Sequence, residues 1–428
     1  LRMTTTPRAT DARRPRAILV GADLKEDRGR VENPLSELAR LAGTAGADVV
    51  GEVLQRRDRP DAAFFIGKGK AEEVARAAEA AEADLVLFDN DLTPSQERNL
   101  NRVIGREVID RSRLILDIFA THARTRQARL QVELAQLEYM RSRLKRMWTH
   151  LERLEGNIGS RGPGEKQLEV DKRLVAKRIQ FLRKSLETVE RQQETRSASR
   201  AAYFRVSLVG YTNAGKSTLL RTLTGSEALI QDQLFATLDT QTRAWTLPGN
   251  QRVFLSDTVG FIRDLPHHLV ASFHSTLAEV VHADLLLHVV DVSSPDAEHH
   301  IDVVLRVLAE IGAGAHRSVL VFNKLDAVDD PLLARALLDR HPEGIAVSAH
   351  TGEGIDELAR RVLEVLHGGM APLELEVPAG DGRLLAYIAE RTEVLERTYG
   401  EGSVRLRVVA SPRDAAHIRA ALGLRDVT

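Results

Sequence analysis

The stretch Gly210-Tyr211-Thr212-Asn213-Ala214-Gly215-Lys216-Ser217 fits the pattern G-x-x-x-x-G-K-[ST] of a phosphate-binding loop, or P-loop. An apolar run from Phe204 to Val209 precedes it and predicts a buried strand, and the run from Thr218 to Leu223 predicts the first turns of a helix. Glycines at both ends of such a loop let successive backbone N–H groups point at an anion, beside the positive end of the helix dipole. The residues predicted to bind phosphate are Gly210, Tyr211, Thr212, Asn213, Ala214, Gly215, Lys216, Ser217 and Thr218.

Two residues of this loop have chemistry of their own. Lys216 is expected to reach the β- and γ-phosphates of a nucleotide, and the hydroxyl of Ser217 is expected to bind Mg²⁺.

Downstream, a predicted strand from Val253 ends in Asp257-Thr258-Val259-Gly260, a D-x-x-G pattern. In this pattern the aspartate holds Mg²⁺ through water and the Gly260 amide meets the γ-phosphate. The sequence therefore predicts a sensor of the γ-phosphate.

A second motif selects the base. The sequence Asn323-Lys324-Leu325-Asp326 follows an apolar run, and a carboxylate here can accept from both the N1–H and the exocyclic amine of guanine. Adenine lacks that pair of donors, so Asp326 is expected to discriminate strongly in favour of guanine. Around it, Asn323 is expected to brace the loop, Lys324 to cover one face of the base, and the turn Ser348-Ala349 to offer an N–H to O6.

Hydrolysis needs groups outside these motifs. Thr237 lies between the P-loop and D-x-x-G and is expected to close onto Mg²⁺ and the γ-phosphate, with Thr240 and Thr242 as nearby alternatives. Many such GTPases carry a water-orienting glutamine directly after D-x-x-G, and this chain has Phe261 there. We therefore expect slow hydrolysis that a partner accelerates. The predicted catalytic residues are Lys216, Thr237 and Gly260.

Asn213 raises the question of a second cation beside Mg²⁺. It occupies the fourth position of the P-loop, where GTPases that lack the switch glutamine can use an asparagine carbonyl to help hold K⁺. Such an ion would supply part of the charge that an arginine finger otherwise brings. The alternative is that Asn213 only shapes the loop.

The composition is that of a globular protein with several domains. At 428 residues with 43% hydrophobic content, the chain is expected to hold two to four domains. It has no cysteine, which excludes disulfides and thiolate chemistry and suits a reducing cytoplasm. Its longest apolar stretch, 283–292, contains charged residues and is too short to span a membrane. We expect a cytoplasmic protein in which residues 1–16 form a disordered lead.

Three regions have the patterns of folded domains. Over residues 17–117, short apolar runs alternate with helical patterns, which predicts an N-terminal α/β domain with a largely parallel sheet. Residues 201–369 carry the motifs and form the predicted P-loop GTPase domain, also α/β. Residues 372–428 predict a small C-terminal α+β domain. Its predicted elements are strands at 373–377 and 404–409 and helices at 383–398 and 412–422.

Residues 118–200, between the first two domains, have a different pattern. Leucine recurs every seven residues over 130–151, and leucine or valine does so over 168–189. Such heptads predict two long helices. The glycine-rich break at 156–164 is so short that the helices must fold back as an antiparallel hairpin.

This hairpin is basic: residues 121–200 contain 19 Lys and Arg against 10 Asp and Glu, while the whole chain has a net charge of −1. A solvated coiled coil ordinarily mixes charges more evenly, so the excess favours contact with nucleic acid, with protein docking along the helix faces as the alternative. The predicted RNA contacts are Arg146, Arg153, Arg161, Gly162 and Lys166. Other basic residues expected on outward faces are Arg141, Arg143, Lys145, Lys172, Arg173, Lys177, Arg178, Arg183 and Lys184.

Several further stretches resemble the HflX family of ribosome-associated GTPases, within the Obg–HflX group. The resemblance covers nearly the whole chain. The stretches are 66–70 (IGKGK), 89–99 (DNDLTPSQERN), 108–119 (VIDRSRLILDIF), 131–137 (QVELAQL), 159–165 (GSRGPGE) and 257–269 (DTVGFIRDLPHHL).

The resemblance implies a monomeric GTPase that binds the large ribosomal subunit and its rRNA and separates stalled or stressed ribosomes. It places the hairpin tip near the peptidyl-transferase region, and it implies ATP binding through the N-terminal domain. Secondary ATP hydrolysis is a further expectation, with no domain assigned to it. One departure is Gly156-Asn157, preceded by the acidic Glu155, where the family has a double glycine. A GTP-switched regulatory or ribosome-assembly scaffold, whose hairpin docks proteins, is the alternative function.

Overall fold

A computed structural model gives the structure of this chain, which divides by its contacts into two compact units. The first unit holds the described residues up to Glu190 together with Leu234 and Phe235, and the second holds the remaining described residues. Within the part of the chain that is described, no helix is long and apolar enough to cross a membrane. The structure describes residues 13–25, 33–154, 163–197, 203–225, 234–235, 241–263, 274–328, 330–368, 371–400, 402–410 and 412–422.

The first unit begins with the predicted parallel sheet, in the strand order β2-β1-β3-β4. Its apolar runs place Ile18, Val86 and Phe88 in one core. The third helix starts at a capping box in which the Thr93 side chain accepts from the Gln96 N–H. The elements are β1 Arg16–Leu24, α1 Ser36–Thr44, β2 Asp48–Arg57, α2 Lys68–Ala80, β3 Leu85–Phe88, α3 Pro94–Ile104, β4 Glu107–Ile109 and α4 Arg111–His122.

A buried arginine holds three of these elements together. Arg111, the first residue of α4, is 1% exposed and pairs with Glu37 of α1 at 2.8 Å and with Asp89, which follows β3, at 2.7 Å. Removing one partner of a buried ion pair costs about 3–5 kcal/mol, because the other charge is left without compensation. The three side chains therefore specify how α1, β3 and α4 meet.

The predicted heptad helices are α5, Arg126–Leu154, and α6, Pro163–Ser197. Leu134 packs in one apolar cluster with Ile179, Leu182 and Leu186. Leu134 lies about as far before the end of α5 as Leu182 lies after the start of α6. Contact between them requires that the two helices run antiparallel, which confirms the hairpin.

The prediction that Arg143 faces outward is wrong. Its guanidinium contacts the carboxylates of Glu97 and Asp110, and its side chain is 14% exposed. It also stacks over the ring of Tyr139, at 4.1 Å from the centroid, while the Tyr139 hydroxyl donates to Asp110 at 2.8 Å. These four residues, which we call the Arg143 clamp, anchor α5 to α3 and to the segment that opens α4. The clamp thus fixes the direction in which α5 runs from α3 and α4.

The second unit contains a six-stranded sheet in the order β10-β9-β8-β5-β7-β6, parallel except for β6. Because parallel strands end at the same edge, the loops after β5, β7, β8 and β9 meet there. The elements are β5 Arg205–Gly210, α7 Lys216–Thr224, β6 Gln241–Thr246, β7 Arg252–Asp257, α8 His274–Val281, β8 Leu285–Asp291, α9 Ala297–Glu310, β9 Ser318–Asn323, α10 Pro331–Arg340, β10 Ile345–Ala346 and α11 Ile355–His367.

The chain ends in an antiparallel sheet of order β11-β13-β12, packed on two helices through a core that includes Leu375 and Ile388. The predicted helix at 383–398 is wrong in its second half, where a strand follows Arg391. Pairing with β13 outweighs the local helical preference of the Glu, Leu and Arg residues in that strand. The elements are β11 Ala371–Pro378, α12 Gly382–Arg391, β12 Glu393–Tyr399, β13 Ser403–Ala410 and α13 Pro412–Ala421.

Replacing Arg143→Leu should destabilise the packing of α5 on α3 and α4 by about 3–5 kcal/mol, because Glu97 and Asp110 lose their buried counter-charge. Burial already raises the pKa of Glu97, and loss of the cation raises that pKa further. The Glu97 carboxyl then binds its proton more tightly in the folded state than in the unfolded state. The free energy of unfolding therefore falls as the pH rises through the pKa that Glu97 has in the folded protein. Hydrogen exchange of the α5 amides should show that the substitution lowers their protection more at pH 8 than at pH 5.

Arg178→Leu is the matched control. Arg178 pairs with Glu133 at 2.7 Å, but both side chains are well exposed, so its loss should cost under about 1 kcal/mol. Similar exchange rates in the two variants would contradict the clamp.

Candidate functional site

The predicted P-loop joins β5 to α7 at the carboxyl edge of the second sheet. Gly215, directly before α7, has a left-handed backbone with φ 89°, and a Cβ there would lie 2.2 Å from Nδ2 of Asn323. Only glycine allows that approach. Asn213 is also left-handed, with φ 63°, a conformation that asparagine tolerates better than most residues. The loop backbone thus leads into the amino end of α7, where helices attract anions.

The ammonium group of Lys216 is buried beneath this loop. Its Nζ donates to the carbonyl oxygens of Gly210 at 3.0 Å and Tyr211 at 2.8 Å. Burial lowers the pKa of Lys216 to about 8, against the opposing effect of the Asp257 carboxylate. Burial also lowers the pKa of His288, to about 4, so this histidine is neutral and adds no charge. Lys216 is therefore a cation placed to attract phosphate.

The predicted Mg²⁺ ligands Ser217 and Asp257 lie side by side. The Ser217 hydroxyl donates to Oδ2 of Asp257 at 2.6 Å, and Asp257 is 1% exposed. The next residue, Thr258, donates from its hydroxyl to the Leu208 carbonyl at 2.7 Å, which ties D-x-x-G to β5. A hydroxyl and a carboxylate are hard oxygen donors of the kind that Mg²⁺ prefers, so these residues fit the predicted ion. Thr237, the third predicted ligand, lies outside the described residues.

A buried asparagine connects the P-loop to the base-reading segments. The Asn323 side chain donates from Nδ2 to the Ala214 carbonyl at 2.9 Å and accepts at Oδ1 from the Ala349 N–H at 2.9 Å. Asp326 accepts from the Ser348 hydroxyl at 2.5 Å. The carboxylate predicted to read guanine and the turn predicted to reach O6 are thus held together.

Sequence reasoning missed Asp291. This last residue of β8 pairs with Nζ of Lys324 at 2.7 Å, and Lys324 has a left-handed backbone with φ 68°. The pair fixes the lysine stem that is predicted to cover the base. A carboxylate that ends an apolar strand at the edge shared with the P-loop was the available signal.

The predicted RNA contacts are not tested by the described residues. Arg161 and Gly162 lie outside the described residues. Arg146 and Arg153 belong to α5 and Lys166 to α6, and their side chains lie outside the described part of the structure. Their contacts stay predictions.

Known proteins match this chain along most of its length. Models of the GTP-binding GTPase N-terminal and middle regions match residues 32–120 and 122–200, a 50S ribosome-binding GTPase model matches 205–324, and an HflX C-terminal domain model matches 334–428. GTPase HflX of Magnetococcus marinus is 45% identical over 93% of each chain, and that of Escherichia coli is 44% identical over 92% of each. A solved GTP-binding protein from Sulfolobus solfataricus in complex with GDP is 24% identical, covers 82% of this chain and 98% of its own, and has a TM-score of 0.42.

The lowered pKa of Lys216 predicts a pH dependence of nucleotide affinity. Bound phosphate stabilises the ammonium form, so the pKa of Lys216 rises on binding and a proton is taken up at alkaline pH. Below pH 8, titration of Lys216 should leave GDP affinity unchanged. Above pH 8, GDP affinity should fall by up to about tenfold per pH unit. Titrations of full-length protein between pH 7 and pH 9.5 measure this slope.

Lys216→Arg is the control, because arginine stays charged over this range. Titration of the nucleotide itself affects both proteins alike and cancels in the comparison. Parallel pH profiles would contradict the assignment of the slope to Lys216.

Replacing Asp326→Asn exchanges an acceptor for a donor opposite the guanine N1–H. GTP affinity should fall by about a hundredfold or more, since two hydrogen bonds to a charged group are lost, and xanthosine triphosphate should bind better than GTP. The Asn oxygen can still accept from Ser348, so the turn should persist. Competition titrations with the two nucleotides decide this, and unchanged GTP affinity would mean that guanine is read elsewhere.

Proposed function

The chain belongs to the HflX family of GTPases, and we propose that it uses GTP binding to engage the large ribosomal subunit and to split stalled or stressed ribosomes. Hydrolysis to GDP and phosphate then resets it. The observation that carries the proposal is a basic hairpin whose first helix is held by the Arg143 clamp, in the same chain as a GTPase domain. We further propose that the protein works as a monomer in the cytoplasm.

The charge of the hairpin supports contact with rRNA. Arg173, Lys177 and Lys184 of α6 are exposed, and the paired Arg178 remains about half exposed. Cations along one helix attract the phosphate backbone without reading its sequence, and this attraction weakens steeply with salt. The tip residues Arg161 and Gly162, with Arg146, Arg153 and Lys166, are the proposed contacts.

We assign the steps of hydrolysis to residues around the P-loop. Lys216 draws the β- and γ-phosphates, the Gly260 N–H and Thr237 hold the γ-phosphate, and Ser217 with Asp257 would hold Mg²⁺. Mg²⁺ supplies positive charge that neutralises the phosphate oxygens in the transition state. For Asn213 a share in holding K⁺ stays a prediction, as do ATP binding by the N-terminal domain and secondary ATP hydrolysis.

One observation favours the second function, a GTP-switched scaffold. Val170, Leu174 and Phe181 on α6 are 45%, 59% and 56% exposed. Residues at these spacings lie close together on one face of a helix, and apolar anchors of this kind fit protein partners better than RNA phosphates. We call them the α6 stripe.

Two variants of the full chain separate these functions. The first replaces residues 156–164, the tip, by a short Gly/Ser turn. Under the proposed function it should keep basal GTP hydrolysis, because the nucleotide site belongs to the other compact unit, but large subunits should no longer stimulate it. The salt dependence of subunit binding should also flatten, by about one unit of slope for each phosphate contact removed.

The second variant, Val170→Ser with Leu174→Ser and Phe181→Ser, removes the α6 stripe and is the control. Stimulation by large subunits should survive in it. The opposite pattern, with full stimulation of the tip variant and none of the stripe variant, would overturn RNA insertion in favour of the scaffold and leave the GTPase assignment intact.

A further inference from the structure

The D-x-x-G segment is bonded to the P-loop by its backbone. The Phe261 N–H donates to the Gly210 carbonyl at 3.1 Å, and the Thr212 N–H donates to the Phe261 carbonyl at 2.7 Å. Together these bonds form a single bridge of parallel-strand type between Tyr211 and Phe261. Phe261 itself is 1% exposed, so its ring anchors the bridge in the core.

A side chain of the P-loop adds a third bond further along the same segment. The Tyr211 hydroxyl accepts from the Arg263 N–H at 2.9 Å. The Tyr211 ring is nearly buried and stacks on His300 of α9, with the ring centroids 3.9 Å apart and the planes at 21°. Because stacking fixes the ring, the hydroxyl is held in one place. Residues 261–263 are therefore tied to the P-loop at both ends.

This arrangement brings Gly260 against the residues that must receive a γ-phosphate. A Cβ added at Gly260 would lie 2.9 Å from the Cα of Thr212 and 3.1 Å from Nζ of Lys216. A γ-phosphate that accepts from both the Lys216 ammonium and the Gly260 N–H takes a hydrogen bond of about 2.8 Å from each. The gap between Gly260 and the ammonium is too small for a phosphate group, so a γ-phosphate can enter it only if the two move apart.

We propose that Tyr211 is a positioning residue that holds the D-x-x-G segment over the γ-phosphate position. GTP can then bind only if the hydrogen bond between the Tyr211 hydroxyl and the Arg263 N–H breaks, whereas GDP binds with that bond intact. The inference rests on the phosphate-site assignment of the proposed function. The diphosphate of GDP uses the P-loop amides and Lys216, and does not need Gly260 to move. The Tyr211 hydroxyl therefore sets how strongly the protein prefers GDP over GTP.

Tyr211→Phe tests this by removing one oxygen atom while keeping the ring stacked on His300. A non-hydrolysable GTP analogue should bind about fivefold more tightly to the variant, since a neutral hydrogen bond no longer opposes it. GDP affinity should stay within about twofold, because Tyr211 is predicted to meet phosphate through its backbone N–H, which the substitution keeps. The readout is the ratio of the two dissociation constants in full-length protein, which a merely structural role for Tyr211 would leave unchanged.

Tyr203→Phe is the matched control, because the contacts of Tyr203 with Phe254 and Arg391 are made by its ring. It should leave the ratio as in the unmodified protein. Equal changes in both affinities, or no change in either, for Tyr211→Phe would overturn the proposal. Lys216→Ala tests the site separately: if it weakens neither nucleotide, the site assignment itself is wrong.

Hydrogen exchange gives an independent measurement on the unmodified protein. The amide of Arg263 should be protected with GDP and should exchange faster with the GTP analogue, because GTP breaks its bond to the Tyr211 hydroxyl. Equal protection with both nucleotides would overturn the proposal.

Discussion

The nucleotide site depends on one buried amide, that of Asn323. This residue ends β9, is 1% exposed, and bonds at once to the Ala214 carbonyl of the P-loop and the Ala349 N–H of the distal turn. Each partner is a backbone group that would be costly to bury without a hydrogen bond. One side chain thus satisfies groups from two loops and fixes their separation. The predicted reading of a base by Asp326 depends on this fixed separation, because it sets the distance from the P-loop to Asp326.

In the first compact unit, buried ion pairs join separate segments of the chain, as the Asn323 amide does in the second. Asp89 and Asp110 follow parallel strands β3 and β4 and are nearly buried, so each needs a cation. Arg111 meets the first and Arg143 the second, and each arginine also binds a glutamate from a helix. Buried ion pairs add little net stability, but a broken one is costly, so they specify a single arrangement. In this unit, that arrangement is the direction of the hairpin.

Features that carry a sequence motif of their own were predictable, including the distant contact of Asn323 with the P-loop, and contacts made without a motif were not. The P-loop needs only a strand, a turn and a helix, and its spacing shows all three. The heptads likewise predict the hairpin, but a seven-residue period says which side chains share a face and not what that face meets, so Arg143 was misplaced. Strand β12 fails for the same reason: its local preference is helical, and only its pairing with β13 makes it a strand.

Phe261 connects the slow hydrolysis predicted from the sequence to the contact between D-x-x-G and the P-loop. A glutamine at this position would orient water, but its amide could not be buried as the Phe261 ring is without hydrogen-bond partners. The buried ring instead anchors a bridge that keeps Gly260 against Lys216. Phe261, which stands in place of a water-orienting glutamine, therefore also favours the state without a γ-phosphate. Under the proposed function, the large subunit must supply what Phe261 lacks, so that hydrolysis waits until the target is bound.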